Sequence, residues 1–212
     1  MDKKFMIEAP YKNESVQING LVKDFIWFDK TSLSKDFCAK VIEKFNADPE
    51  IHDGVCGEDK RVQKDHKRTK DINISRFANW KEEDDVFYKS LIKGLKEYGQ
   101  YLGTIHPLAS PIRGHKVRDT GYLMQRYEPG GFFDWHNDWS MGPSGARIYT
   151  FLWYLNTLEI EDAGYTEFAD GTRVQPEAGM LMVFPATWTY MHRGFPPKVK
   201  KYICTGWISA QP

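Results

Sequence analysis

Cysteine is scarce in this sequence, and its spacing argues against a framework of disulfides. The three cysteines, Cys38, Cys56 and Cys204, are scattered over 212 residues, and no two of them form a Cys-x-x-Cys pair. An odd number of widely spaced cysteines is typical of reduced thiols and not of a small secreted fold. We therefore expect free cysteines and a cytoplasmic location.

The sequence also lacks long apolar runs and any bias of charge. Its longest nearly apolar run, residues 146–155, is interrupted by Arg147 and is far shorter than the roughly 20 residues of a membrane span. The first residues, MDKKFMIEAPYK, contain no apolar segment of the kind found in signal peptides. Because 29 lysines and arginines balance 29 aspartates and glutamates, we expect neither a nucleic acid nor a membrane as partner.

Internal repeats and low-complexity linkers are absent as well. The length therefore fits a single domain, residues 1–212, that is large enough to bury a sizeable core. Aromatic residues, in contrast, are abundant at 15%. Five of the seven tryptophans fall in the second half of the chain, at Trp135, Trp139, Trp153, Trp188 and Trp207.

Two amphipathic helices are predicted in the first half of the chain. Ser32 or Ser34 can cap the first one, whose apolar stripe with 3.6-residue spacing comprises Phe37, Cys38, Val41, Ile42 and Phe45. The second is predicted from about residue 82 to residue 102, with an inner face formed by Phe87, Leu91, Leu95, Tyr98 and Leu102. Between the helices, the polar and charged residues 53–70 predict a long loop, which in a compact domain is usually functional or mobile.

Short β-type runs replace the helical pattern after Pro107. Separated by Gly, Pro, Asn and Asp, they cover residues 122–127, 147–155, 166–168, 180–184, 187–192 and 202–208. Helices followed by strands indicate an α+β fold. We expect a jelly-roll core of the double-stranded β-helix type over residues 116–212, buttressed by the helices and the loop of residues 1–115.

A His-x-Asp pair, His136 and Asp138, gives the clearest chemical signal in the strand region. Residues i and i+2 of an extended strand share a face, so both side chains can reach one ion, and His192 can join them from a neighbouring strand. Two imidazoles and one carboxylate suit Fe(II) and leave positions open for a cosubstrate and O₂. A surface histidine beside a solvated acid is the alternative, since the pair alone is a common pattern.

Lys201 follows His192 by nine residues in a predicted strand. Alternation places Lys201 on the same side as Trp207, where a buried and unpaired ammonium group would be costly unless an anion meets it. The alternative is a solvated basic turn formed by Lys198, Lys200 and Lys201.

Five segments, in order and spacing, carry a resemblance to a known family. They read QRYEPGGFFDWHNDW, RIYTFLWYLN, DAGYTEF, PEAGMLMVFP and HRGFPPKVKKYICTGWI. They resemble the catalytic core of 2-oxoglutarate/Fe(II)-dependent dioxygenases, specifically the prolyl 4-hydroxylase-like branch. The resemblance is strong from Gly121 to the C-terminus, and a weaker match of DFIWFDKTSLSKDFCAKVIEKF extends it over most of the chain.

The resemblance implies roles for individual residues around the metal. The metal ligands, which are also the catalytic residues, would be His136, Asp138 and His192. The residues that bind the cosubstrate 2-oxoglutarate would be Lys201, Tyr127, Tyr154 and Thr166, with Lys201 meeting the far carboxylate. Ala163 replaces the first glycine of the family's GGxTxF pattern, which puts the geometry of that loop in doubt.

Substrate contacts are implied less directly. The residues that would line a peptide groove are Arg147, Trp139, Trp188 and Arg68. A salt bridge at the end of a strand is the alternative for Arg147, and core packing is the alternative for the tryptophans.

By the resemblance, the protein is a dioxygenase that uses Fe(II), 2-oxoglutarate and O₂ to hydroxylate a substrate C–H bond, with release of succinate and CO₂. The implied substrate is a prolyl residue in a peptide or protein, and ascorbate is implied as the agent that restores oxidised iron. Hydroxylation of a free amino acid or another small molecule is one alternative, because fold and triad do not determine the substrate. A non-catalytic metal-binding jelly roll is the second alternative, although it has no use for an inward-facing Lys201.

Overall fold

A computed structural model describes residues 25–57, 61–106, 109–112, 116–142 and 145–210. The helices in these residues are Lys35–Ala47 (α1) and Lys81–Ile105 (α2). The strands are Trp27–Asp29 (β1), His52–Asp53 (β2), Lys70–Asn73 (β3), Val117–Asp119 (β4), Leu123–Tyr127 (β5), Phe133–His136 (β6), Met141–Gly142 (β7), Gly145–Tyr154 (β8), Thr166–Phe168 (β9), Arg173–Val174 (β10), Leu181–Pro185 (β11), His192–Gly194 (β12) and Lys201–Ala210 (β13). The segment examined for a signal peptide lies outside the described residues.

The strands form two antiparallel sheets. Within the described ranges, the larger sheet has nine strands with the main order β1-β11-β8-β13-β5-β3-β2, while β4 pairs with β13 and β7 pairs with β8. The smaller sheet has the order β10-β9-β12-β6. Two helices with many antiparallel strands are consistent with the predicted mixed fold and jelly roll.

The two helices form as their sequence pattern predicts. Ser34 caps α1 by accepting a hydrogen bond from the backbone N–H of Phe37 at 3.1 Å. The buried side of α2 includes Phe87, whose ring lies 5.1 Å from that of Trp153 in β8. Both helices contribute buried residues to the apolar core of the large sheet. Neither described helix is long and apolar enough to cross a membrane.

Three strands of the N-terminal region were not predicted. β1 pairs with β11, β3 pairs with β5, and β2 pairs with β3 at the edge of the large sheet. Because these strands have only two to four residues, the alternation that would reveal them is too short to recognise.

The strand predicted over residues 187–192 is wrong in its extent. Residues 187–190 form a turn in which the N–H of Tyr190 donates to the carbonyl of Thr187, and β12 begins only at His192. Thr and Tyr favour strands as residue types, but the local hydrogen bond of the turn decides the backbone here.

A segment that passes from the small sheet to the large sheet holds the strand of the candidate site in place. Lys67 forms an isolated antiparallel bridge with Phe133 of β6, and three residues later the chain enters β3 of the large sheet. The backbone N–H of Arg68 donates to the carbonyl of Phe132 at 2.7 Å. The end of the polar loop of residues 53–70 is therefore fixed against the strand that carries His136.

Gly179 offers a test of this packing, since its φ of +88° and its close approach to Leu33 both require glycine. A Cβ at position 179 would lie 2.1 Å from the carbonyl oxygen of Leu33, whereas a Cβ at Gly130 (φ +77°) would meet no atom within 4 Å. We expect Gly130→Ala to cost about 1 kcal/mol of unfolding free energy and Gly179→Ala at least about 3 kcal/mol. Urea denaturation measures both; equal losses would contradict the contact with Leu33.

Candidate active site

The structure brings together the three predicted metal ligands. His136 ends β6, His192 begins β12, and the two residues are direct partners in the small sheet. The carboxylate of Asp138, two residues beyond β6, lies 3.9 Å from Nε2 of His136 and 3.5 Å from Nε2 of His192. One ligand atom from each residue lies within 4.8 Å of the other two, so the group can hold one metal ion.

Both imidazoles are oriented by backbone carbonyls. Nδ1 of His136 lies 2.6 Å from the carbonyl oxygen of Asp134, and Nδ1 of His192 lies 2.9 Å from that of Tyr190. A carbonyl can only accept, so each Nδ1 carries the proton and donates it. In the neutral imidazole Nε2 is then the nitrogen without a proton, and in both residues it is directed toward Asp138, as binding of a metal requires.

The electrostatics of the three residues suit a cation. Burial, with a further contribution from His192, lowers the pKa of His136 to about 3, so this imidazole is neutral at physiological pH. Burial alone would raise the pKa of Asp138, but the two histidines and a hydrogen bond of 2.7 Å from the hydroxyl of Thr150 lower it overall. Two imidazole nitrogens and one carboxylate oxygen match the donor set that Fe(II) accepts.

A cavity of about 1030 Å³ extends from this triad across the face of the large sheet. Its lining includes side chains of β5, β8 and β13 as well as residues of the loop 53–70. A pocket of this size can accommodate a small cosubstrate and part of a second ligand together.

Lys201 lines the same cavity and is fully buried. Its ammonium group donates to the carbonyl of Gly164 at 2.9 Å and lies 4.2 Å from the centre of the Tyr127 ring. No carboxylate of the described residues lies within ion-pair distance of it, and burial lowers the pKa of Lys201 to about 7. The cavity thus presents a cationic group that lacks a counter-ion of its own.

Lys67, a second buried lysine that lines the cavity, is different in this respect. Its ammonium group lies 2.6 Å from the carboxylate of Asp71, which is equally buried. Lys67 is therefore already neutralised by a protein carboxylate, and Lys201 is the lysine available to an anionic ligand.

Two of the three hydroxyl residues predicted for the cosubstrate line the cavity. Thr166 lines it, and Tyr154, fully buried behind, donates to the hydroxyl of Thr166 at 2.7 Å. Tyr127 also lines the cavity, and its hydroxyl donates to the side-chain oxygen of Gln125 at 3.2 Å. Tyr154 can therefore orient the hydroxyl of Thr166 toward a ligand in the cavity.

Ala163, which stands where the sequence pattern has a glycine, adopts a backbone conformation that favours glycine. Its φ is 55° and its ψ is −130°, so it is a non-glycine residue with positive φ. The departure noted in the sequence is accommodated as backbone strain at Ala163, and the loop still delivers Thr166 to the cavity.

The mouth of the cavity carries a stacked cation. The guanidinium of Arg147 lies 3.6 Å from the centre of the Trp207 ring and donates to the backbone carbonyl of Asp138 at 3.3 Å. The strand-end salt bridge considered as an alternative for Arg147 does not form among the described residues, and its place is taken by this stacking.

The remaining predicted substrate residues divide into two groups. Trp139 lines the mouth and is 47% exposed, which is high for a tryptophan. Trp188, 69% exposed on the turn before β12, and Arg68, which donates to the carbonyl of Lys64, do not line the cavity. Their contact with a substrate stays a prediction.

Several residues of the site were missed by sequence reasoning. Those that line the cavity or support the triad are Thr150, Trp207, Phe133, Gln125 and Lys67. Alternation along β8, in which Thr150, Leu152 and Tyr154 share a face, would have identified Thr150. The ring of Phe133 stacks 3.6 Å from that of His136, although residues i and i+3 of a regular strand face opposite sides. No pattern in the sequence predicts that contact.

The comparisons with known proteins agree with this site. Residues 122–209 match the family described as the 2OG-Fe(II) oxygenase superfamily. The chain therefore carries a 2OG-Fe(II) oxygenase domain, and the protein is a dioxygenase whose cofactors are Fe(II) and 2-oxoglutarate. This assignment favours an enzyme over a non-catalytic metal-binding module. No curated protein matches the chain.

Solved prolyl hydroxylases share the fold. The viral collagen prolyl hydroxylase of Paramecium Bursaria Chlorella virus-1, in complex with 2OG, is 20% identical, with a TM-score of 0.61 over 87% of this chain and 95% of that one. A Pseudomonas putida prolyl-4-hydroxylase is 19% identical (TM-score 0.60; 87% and 92%). A Trichoplax adhaerens prolyl hydroxylase, in complex with a hypoxia inducible factor peptide, is 15% identical (TM-score 0.68; 88% and 84%).

The triad generates a direct prediction about metal binding. His192→Ala removes one of two imidazole ligands and should abolish stoichiometric Fe(II) binding, measured by anaerobic calorimetry. His106→Ala, which changes a histidine at the end of α2, should leave the affinity unchanged. Full Fe(II) affinity in the His192 variant would refute the assignment of that ligand.

Proposed function

We propose that the protein hydroxylates a prolyl residue of a peptide or protein substrate, with conversion of 2-oxoglutarate and O₂ into succinate and CO₂. The observation that carries this proposal is the presence, in one cavity, of a two-histidine, one-carboxylate triad and an ammonium group without a counter-ion. A metal site alone would not require Lys201, whereas a cosubstrate with two carboxylates does.

Each group has a separate task in this reaction. His136, Asp138 and His192 hold Fe(II), which together with 2-oxoglutarate supplies the oxidising chemistry when bound. Lys201 holds the far carboxylate of 2-oxoglutarate, with Thr166 as a hydrogen-bonding neighbour that Tyr154 orients. Ascorbate, as the resemblance implies, restores iron that oxidises without product formation.

The shape and lining of the cavity favour a peptide over a free amino acid. A cavity of about 1030 Å³ exceeds the space that 2-oxoglutarate fills, and Trp139 and the Arg147–Trp207 stack stand at its mouth. Residues of the loop 53–70 form one wall, and the loop is held to β6 at its end. The fold of the Trichoplax adhaerens enzyme, solved with a peptide fragment, is compatible with the same arrangement here.

Lys201 should make the binding of 2-oxoglutarate depend on pH. In the unliganded protein the pKa of Lys201, about 7, lies below its ordinary value of 10.5, so the group is mostly neutral at pH 8 and must take up a proton to bind a dianion. The apparent Kd should rise by up to about tenfold per pH unit above pH 7, with uptake of about one proton. Calorimetry with Mn(II) in buffers of different ionisation enthalpy measures both quantities.

Variants at and beside this position separate charge from structure. Lys201→Arg, which stays protonated, should remove the pH dependence, and Lys201→Ala should weaken 2-oxoglutarate binding by roughly ten- to hundredfold. Lys200→Ala should be nearly silent because that side chain is exposed. A large effect at Lys200 with none at Lys201 would move the role to Lys200.

Two measurements test the substrate class: the mass of the product and the stimulation of succinate formation by the substrate. Proline-containing peptides should stimulate succinate formation above the uncoupled background and gain one oxygen atom by mass spectrometry. The same peptides with alanine in place of proline should not, and free L-proline should act weakly. If a free amino acid were turned over much faster than any peptide, the enzyme would be a small-molecule hydroxylase with the same triad.

A further inference from the structure

A β-bulge interrupts the strand that carries His136. His192 pairs with His136 and Gly194 pairs with Phe133, so one residue of β12, Arg193, stands opposite two residues of β6. The extra residue arises at Asp134 and Trp135, where the N–H of Trp135 donates to the side chain of Asp134 at 2.8 Å.

The bulge determines how His136 is presented. It turns Phe133 and His136 to the same face, where their rings stack 3.6 Å apart at an angle of 13°. It also brings the carbonyl of Asp134 to 2.6 Å from Nδ1 of His136, which sets the tautomer of this imidazole. A change in the shape of the bulge would therefore move His136 relative to His192.

Arg193 spans the bulge on the face opposite the cavity. Its guanidinium lies 4.7 Å from the Trp135 ring of β6 and 5.1 Å from the ring of Phe195. The same guanidinium donates to the carboxylate of Glu167 in β9, with Nε at 2.6 Å and a terminal nitrogen at 2.5 Å. Glu167 is buried, and it also accepts from Arg173 of β10 at 2.8 Å.

These contacts add to the few backbone pairs between β6 and β12 and to the bond from the N–H of Asp134 to the carbonyl of His66 at 2.8 Å. β6, β9 and β12 have only three or four residues each, and the bulge disrupts the ladder between β6 and β12. Two nitrogens of Arg193 contact the same oxygen of Glu167, Oε2, so loss of this guanidinium would leave the buried carboxylate with Arg173 as its remaining arginine partner. Arg173 cannot substitute, because it stands on β10 and stacks on Tyr165, away from the bulge.

We propose that Arg193 is a positioning residue of the metal centre: held by Glu167 and stacked on Trp135, it fixes the bulge that sets His136 relative to His192. The inference rests on the proposed role of these histidines as metal ligands. It adds a residue that controls the geometry of the metal site from the face of the small sheet opposite the cavity.

The test uses Co(II), whose visible absorption reports the coordination geometry, titrated into the full chain under anaerobic conditions. Arg193→Ala and Glu167→Gln should each raise the Kd for Co(II) by about tenfold and alter the shape of the bound spectrum. Arg193→Lys, which keeps the charge but not the planar stack, should give an intermediate Kd. Arg173→Ala is the matched control, since it removes the other arginine of Glu167 and should leave both Kd and spectrum unchanged.

The outcomes distinguish three cases. If the wild-type protein binds no Co(II), or if His192→Ala binds it equally well, the proposed metal site fails. If the wild type binds Co(II) and Arg193→Ala matches it in Kd and spectrum, or Arg173→Ala changes both as much as Arg193→Ala, the positioning role of Arg193 is refuted. Should Arg193→Ala not fold, Arg193→Lys and Glu167→Gln decide the question by the same two readouts.

Discussion

The burial of charge without a protein partner is the constraint on which the rest of this site depends. Burying an ammonium group such as that of Lys201 without a counter-ion costs free energy, and this cost lowers its pKa to about 7. The chain nevertheless places it in one cavity with a buried carboxylate and two imidazoles, while Lys67 in the same cavity has its own counter-ion. A dianion that bridges Lys201 and a metal ion would place one negative charge beside the ammonium group and the other beside the metal.

The two sheets contribute different parts of the site. The large sheet supplies the cavity floor and Lys201 from long strands of ten residues, which are held on both sides by extensive pairing. The small sheet supplies both histidines from strands of three or four residues, so its geometry depends more on side chains. The Arg193–Glu167 pair and the bulge at Asp134 therefore matter more than surface contacts of this kind usually do.

Periodicity and spacing in the sequence predicted the local features of the fold and of the site. The cap at Ser34 and the apolar side of α2 follow from local rules. His136 and Asp138 converge as predicted, but not on one strand, because β6 ends at His136 and Asp138 lies two residues beyond it. The same patterns did not predict the two- to four-residue strands β1, β2 and β3. Nor did they predict the contact of Phe133 with His136, because a bulge reverses the face that alternation predicts. Trp188 was predicted to line a peptide groove, but the turn at residues 187–190 places it outside the cavity lining.

Anaerobic crystals grown with Mn(II) and 2-oxoglutarate would test the central claim most directly. We expect anomalous density for one metal ion in contact with Nε2 of His136, Nε2 of His192 and a carboxylate oxygen of Asp138. We also expect 2-oxoglutarate on that ion, with its far carboxylate at the ammonium group of Lys201 and the hydroxyl of Thr166. Metal bound elsewhere, or 2-oxoglutarate held away from Lys201, would contradict that claim.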